Sequence, residues 1–178
     1  RNDSVVRCIS GEGPGTVLEG LTLTAGSGHR GMHGPELSLG GGLLALGSKP
    51  TIRNCRFIDN TATMNGGGVY CGKGADIRFE NCTFSGNAAE KGGGLLCVDS
   101  SPVLIGCTFE RNRARYSGGG MYAATGSTPV LRDCTFKANS AAFQGGAVCT
   151  MQSAGELLDC EFDFNRAGMK GGAIYFGF

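Results

Sequence analysis

The sequence contains no apolar run long enough to cross a bilayer, so membrane insertion by this chain is not expected. It also has no surplus of either charge: 16 Lys and Arg stand against 15 Asp and Glu, a net of +1. That balance gives a phosphate backbone or an anionic surface nothing to attract, so nucleic acid is not an expected partner. No C-x-x-C pair occurs, and the two histidines lie far in sequence from most of the nine cysteines. Zinc-type ligand spacing is therefore missing, and no metal or other cofactor is expected. Neither a signal-peptide pattern nor an initiating methionine precedes the chain at Arg1, which suggests a processed or excised piece.

Glycine, by contrast, is abundant. The chain has 33 glycines in 178 residues, against a usual ~7%. An apolar fraction of 40% and the lack of low-complexity segments exclude disorder as the reason. The glycines must instead serve backbone geometry at set positions. Their placement bears this out, because glycine-rich starts fall at Gly40, Gly66, Gly92, Gly118, Gly145 and Gly171, separated by 26, 26, 26, 27 and 26 residues. Each start reads GGG or GGA followed by an apolar residue. Within every full repeat comes F-x-x-N-x-A, beginning at Phe57, Phe84, Phe109, Phe136 and Phe162.

A period of this length means a solenoid. The L-x-x-L-x-L-x-x-N pattern of leucine-rich repeats is absent, and a helical repeat would not tolerate a glycine triplet per unit. Apolar residues alternate with period two in short stretches, which predicts strands, three per coil. A bend is expected just before Cys55, Cys82, Cys107, Cys134 and Cys160, at Asn54, Asn81, Gly106, Asp133 and Asp159, with Gly20 in the same place in the degenerate first coil. Only Gly, Asn and Asp occupy that position, and these residues tolerate the left-handed conformation of a tight turn. The expected fold is therefore all-β, a right-handed parallel β-helix of about six coils of about 26 residues plus one extra strand. One domain is expected over 1–178, with residues 1–39 forming a degenerate first coil that carries an inserted loop, 26–39. Residues 40–178 form the regular coils.

Stacking the coils at roughly 4.8 Å places like on like. Phe57, Phe84, Phe109, Phe136 and Phe162 form an inner aromatic column above Leu23. Cys55, Cys82, Cys107, Cys134 and Cys160 form an inner thiol column above Leu21, best read as small buried apolar side chains rather than disulfides. Asn60, Asn87, Asn112, Asn139 and Asn165 form a turn ladder able to hydrogen-bond along the axis.

The paired motifs GGA[ILV] and F-x-x-N resemble the repeats of the chlamydial polymorphic outer membrane proteins, and the resemblance covers residues 40–178. It implies a surface-exposed, autotransporter-like adhesive stalk with an extracellular or cell-surface location, and it does not imply catalysis.

Candidate sites follow from the same columns. Leu44, Tyr70, Leu96, Tyr122, Cys149 and Tyr175 should project side by side beside Gly42, Gly68, Gly94, Gly120, Ala147 and Ala173. That arrangement predicts a flat apolar strip beside bare backbone, an interaction surface with Cys149 as its exposed thiol. The inserted loop holds His29, His33 and Glu36, which a glycine-rich loop does not preorganise for a metal. Arg111, Arg113 and Arg115 fall on one turn and are expected to be solvated. The one acidic cluster is Glu161 and Asp163, with Lys137 one coil below, and it is a weak catalytic candidate. No polar cap is visible at either end, so the chain is expected either to be a piece of a longer rod or to stack end to end on copies of itself. The leading expectation is a non-catalytic extracellular scaffold, an adhesive stalk or a fibre subunit, whose partners are itself, a cell-surface protein or a polysaccharide. The alternative is a polysaccharide-binding or polysaccharide-degrading domain.

Overall fold

The computed structural model describes residues 3–30 and 38–177. Each coil lays one short strand into each of several parallel sheets, so strands adjacent in a sheet are about one repeat apart in sequence. The first sheet has seven strands: Val6–Cys8, Leu43–Leu46, Val69–Gly72, Leu95–Val98, Met121–Ala124, Val148–Met151 and Ile174–Gly177. The second has six, from Val17–Glu19 to Glu156–Leu158, and the third six, from Thr22–Thr24 to Glu161–Asp163. The chain is thus a right-handed parallel β-helix.

A fourth parallel sheet was not apparent from the alternation pattern. It runs through Ala88–Lys91, Arg113–Ser117, Ser140–Ala141 and Arg166–Ala167. These segments are mostly Ala, Arg and Ser, which carry little strand preference of their own. Their pairing is imposed by the sheets on either side, which hold successive coils in register.

The interior is built as the repeat requires. The Phe57, Phe84, Phe109, Phe136 and Phe162 rings stack nearly parallel with centroids 4.9, 4.4, 4.7 and 5.1 Å apart. Face-to-face stacking is not the arrangement free rings prefer; here the sheet register dictates it. All nine cysteines are free thiols. In the inner column Cys55 Sγ lies 3.3 Å from the Arg53 carbonyl and 3.5 Å from that of Leu18, within reach of a weak S–H donation, and its neighbours repeat the pattern. Leu21 extends this column but is 43% exposed, because no described coil covers it on that side.

The asparagine column is a continuous ladder. Asn112 Nδ2 donates to Asn139 Oδ1 at 2.9 Å and to the Phe84 carbonyl at 2.8 Å, while its Oδ1 accepts from the Asn87 backbone N–H and Nδ2, both at 3.0 Å. Every bend residue before the inner cysteine column, and Gly20 before Leu21 beneath it, has positive φ, from 51° at Asn81 to 67° at Gly20.

The triplet glycines differ from the expectation of outward-facing bare backbone. In the third start Gly92 has φ of 62°. A Cβ on Gly93 would sit 2.5 Å from the Gly119 carbonyl oxygen, and one on Gly94 would sit 2.9 Å from Phe109 Cδ1. Gly94 therefore faces the core, and the glycine column exists to let the phenylalanine stack pass beneath the backbone.

Candidate functional site

Side chains alternate along the first-sheet strands. Leu43, Val69, Leu95, Met121 and Val148 enter the core, while Leu44, Tyr70, Leu96, Tyr122, Cys149 and Tyr175 turn away from it, in register from coil to coil. The outward column does not stand proud as a flat strip. It forms the floor of a second apolar cluster with Leu39, Leu46, Met64, Val98, Ala124 and Met151. Leu44 is fully buried, and Tyr70 and Tyr122 are each 8% exposed.

Cys149, expected to be the exposed thiol, is fully buried. It is the smallest member of its column, and larger cluster members including Met151 close over it. Burial pushes its thiol up to about 11, partly offset by Ser117 and Lys91.

Size is traded within each strand. The tyrosines are followed two residues later, on the same face, by Gly72, Ala124 and Gly177, whereas Cys149 is followed by Met151. Each large ring is thereby given a small neighbour to lie across, and the floor stays level.

Over this floor runs a groove of about 530 Å³. Tyr70, Leu96, Tyr122 and Met151 form its base, Asn65 and Lys91 one wall, and Thr125 and Gln152 the other. Lys91 Nζ lies 5.4 Å from the Tyr122 ring centroid, and Lys170 repeats the arrangement 6.0 Å from Tyr175. Burial raises the Tyr70 and Tyr122 phenols, so both are neutral hydroxyls at neutral pH. Thr125 and Gln152 have φ of 49° and 50°. They occupy a left-handed turn that recurs after this strand in the other coils, at Gly47, Lys73 and Asp99.

At the Leu44 end the groove is closed. His29–Arg30 pairs antiparallel with Ser38–Leu39, and Leu39 packs into the cluster beside Leu44. Ser38 fastens this hairpin by donating its hydroxyl to the Ser27 carbonyl (2.8 Å) and its N–H to Thr63 Oγ1 (2.7 Å). His29 Nδ1 lies 2.9 Å from Asp3 Oδ1. His33 and Glu36 lie outside the described residues. Among those described, no group of three His, Cys, Asp or Glu side chains converges as a metal site.

Sequence reasoning found the floor of the groove and missed its walls. One residue before the second to sixth glycine starts stand Asn65, Lys91, Ser117, Gln144 and Lys170, which pair coil to coil, with Leu39 in the same column before Gly40. Polar residues at five of these six places were the available signal. The residues vary in type, so no single letter marks the column.

Glu161, Asp163 and Lys137 lie elsewhere, exposed on the third sheet. Lys137 is in register with Asp163 and Thr135 with Glu161, and none of the three acidic or basic groups forms an ion pair among the described residues. Arg113 and Arg115 project from the fourth sheet, on either side of buried Ala114.

A family model described as a right-handed beta helix region matches residues 38–177. No curated protein and no solved structure matches the chain.

Proposed function

The chain belongs to the right-handed β-helix family, and we propose that it is a non-catalytic, cell-surface adhesive scaffold that holds a linear carbohydrate chain in the Tyr70–Tyr122 groove. The observation that carries this reading is the groove's composition: an aromatic and aliphatic floor between walls of two carboxamides, a hydroxyl and one ammonium, with no carboxylate. Tyrosine faces suit the apolar C–H face of a sugar ring. Carboxamides both donate and accept, as a ring of hydroxyls demands. Tyr70 and Tyr122 are two coils apart, roughly 10 Å along the axis, so an extended polymer lying along the rod meets both rings. A recessed groove suits a thin chain better than a protein surface, which needs roughly 800 Å² per partner for a stable contact. The surface location rests on the repeat resemblance, and the non-catalytic role on the distance in the fold between this groove and the Glu161 and Asp163 carboxylates.

Titration with linear oligosaccharides, followed by tyrosine fluorescence, tests the proposal. Tyr122→Ala should weaken binding about tenfold or more, equivalent to at least ~1.4 kcal/mol, while the β-sheet circular dichroism is unchanged. Unaltered affinity in that variant would remove the groove from consideration. Polymer cleavage that disappears in Glu161→Gln or Asp163→Asn would replace the scaffold with an enzyme.

A further inference from the structure

The fourth sheet presents a second surface that the groove does not explain. Its floor is methyl groups: Ala62, Ala114 and Ala141 are buried to within 7%, and Ala88, Ala89 and Ala142 lie beside them. Two adjoining depressions of about 470 and 460 Å³ run along this floor and share Ala88, Ala89 and Arg115, so they form one trough parallel to the rod axis. A third, of about 270 Å³, continues it past Ser140 to Arg166.

Charge on this face leans positive. The strands and turns over residues 59–63, 86–90, 111–115, 138–142 and 164–168 carry Arg111, Arg113, Arg115 and Arg166 against Asp59 and Glu90, in a chain whose net charge is only +1. Arg111 is held by Glu110 at 2.7 Å, and Arg115 lies 4.0 Å from Glu90. Arg113 and Arg166 have no acidic partner among the described residues. They occupy one column with Ser140 between them, Arg113 in register with Ser140 and Ser140 with Arg166. The two guanidinium-bearing positions are therefore two coils, roughly 10 Å, apart.

We infer that this trough binds a linear anionic polysaccharide, whose sulfate or carboxylate groups are met by Arg113 and Arg166 while the sugar rings lie on the alanine floor. Guanidinium groups bind such anions through two parallel N–H donations, a geometry lysine does not offer. The Ser140 and Thr61 hydroxyls border the two adjoining depressions and match sugar hydroxyls. A single-stranded nucleic acid would need successive rings on which to stack its bases, and the lining of the three depressions offers one, Phe164. The site is separate from the tyrosine groove and does not depend on that proposal.

The test uses the whole chain and a sulfated oligosaccharide of the heparin type as probe, in calorimetry at two salt concentrations. Binding should weaken with salt, and Arg113→Ala with Arg166→Ala should lower affinity about tenfold or more. A control pair that removes the same charge elsewhere, Arg56→Ala with Arg132→Ala, should bind as the unchanged protein does. Equal loss in the control pair would reduce the effect to general attraction and overturn the site. Loss in Tyr122→Ala but not in the arginine pair would move the ligand to the groove. Absence of measurable binding, or equal binding of polyglutamate or single-stranded DNA, would overturn the polysaccharide assignment. Circular dichroism of each variant confirms that the β-helix is intact.

Discussion

Tyr70 lies across Gly72, two residues along the same strand: a methyl group on Gly72 would come within 2.8 Å of Tyr70 Cε1 and 3.4 Å of its hydroxyl. In the next coil the same two places hold Leu96 and Val98, both apolar and both in the same cluster. The groove floor is level because the volume of each pair is shared differently from coil to coil.

That sharing can be tested directly. Gly72→Val alone should destabilise the protein by about 1–3 kcal/mol through overpacking, with Tyr70 displaced from the floor. Adding Tyr70→Leu reproduces the Leu96–Val98 pair and should recover most of the loss. Urea unfolding of the two single variants and the double variant measures the coupling. Additive effects would mean that the ring does not rest on Gly72.

The asparagine ladder should be costly to interrupt. Asn112→Ala removes two donations and two acceptances, leaving the Phe84 carbonyl and the Asn87 N–H without their partners in the interior. Each orphaned group costs about 1–3 kcal/mol, so a loss of about 3 kcal/mol or more is expected in chemical denaturation. The loss should exceed that of an exposed change such as Lys137→Ala by a clear margin. Comparable losses would show that the ladder is incidental to stability.

A different column carries backbone strain. Ala25, Asp59, Gly86, Arg111, Ala138 and Phe164 all have positive φ, from 51° to 68°. For alanine this region costs roughly 1–2 kcal/mol, and glycine already fits two coils earlier in the series, at Gly86. After subtracting glycine's larger loss of chain entropy, Ala138→Gly should raise stability by up to about 1 kcal/mol, seen as a higher thermal midpoint. A lower midpoint would show that the alanine side chain contributes more than its strained backbone takes away.

Alkaline pH should weaken the fold through its thiols. Burial pushes Cys97 up to about 12 and Cys8 up to about 11, while an unfolded cysteine ionises near 9. Below that value both states hold the proton and this stabilisation is fully present. It is lost as pH rises from about 9 through the folded values, by up to ~1.4 kcal/mol per pH unit per thiol. Denaturation midpoints at pH 8 and pH 10.5 should diverge, and Cys97→Ala should narrow the gap because Ala45 and Ala123 already occupy that column. An unchanged gap would place the alkaline sensitivity elsewhere.

Much of this molecule was legible in the sequence because a parallel β-helix writes its register in the chain. Phe57, Phe84 and Phe109 recur at one coil's spacing because each must stack on the last, and Asn60, Asn87 and Asn112 recur because each bonds the next. The bend before each cysteine of the inner column was legible because only Gly, Asn and Asp occupy it. The turns at Thr125 and Ala138 adopt the same left-handed conformation with residues that do not favour it, so no letter in the sequence disclosed them. The fourth sheet was hidden likewise, since Ala, Arg and Ser pair there only because the neighbouring sheets hold them in register.

The sequence by itself determined the period, the parallel register, the inner columns and the identity of the side chains turned outward in the first sheet. Only the tertiary structure decided that Tyr70 and Tyr122 are the floor of a recessed groove, that Cys149 is covered, that Gly94 faces the core, and that Arg113 and Arg166 border a continuous trough. The physical reason is that spacing along a strand sets which way a side chain points. Its exposure depends on the volume of the residue two places on and on the side chains one coil away, and those are settled only when the coils have stacked.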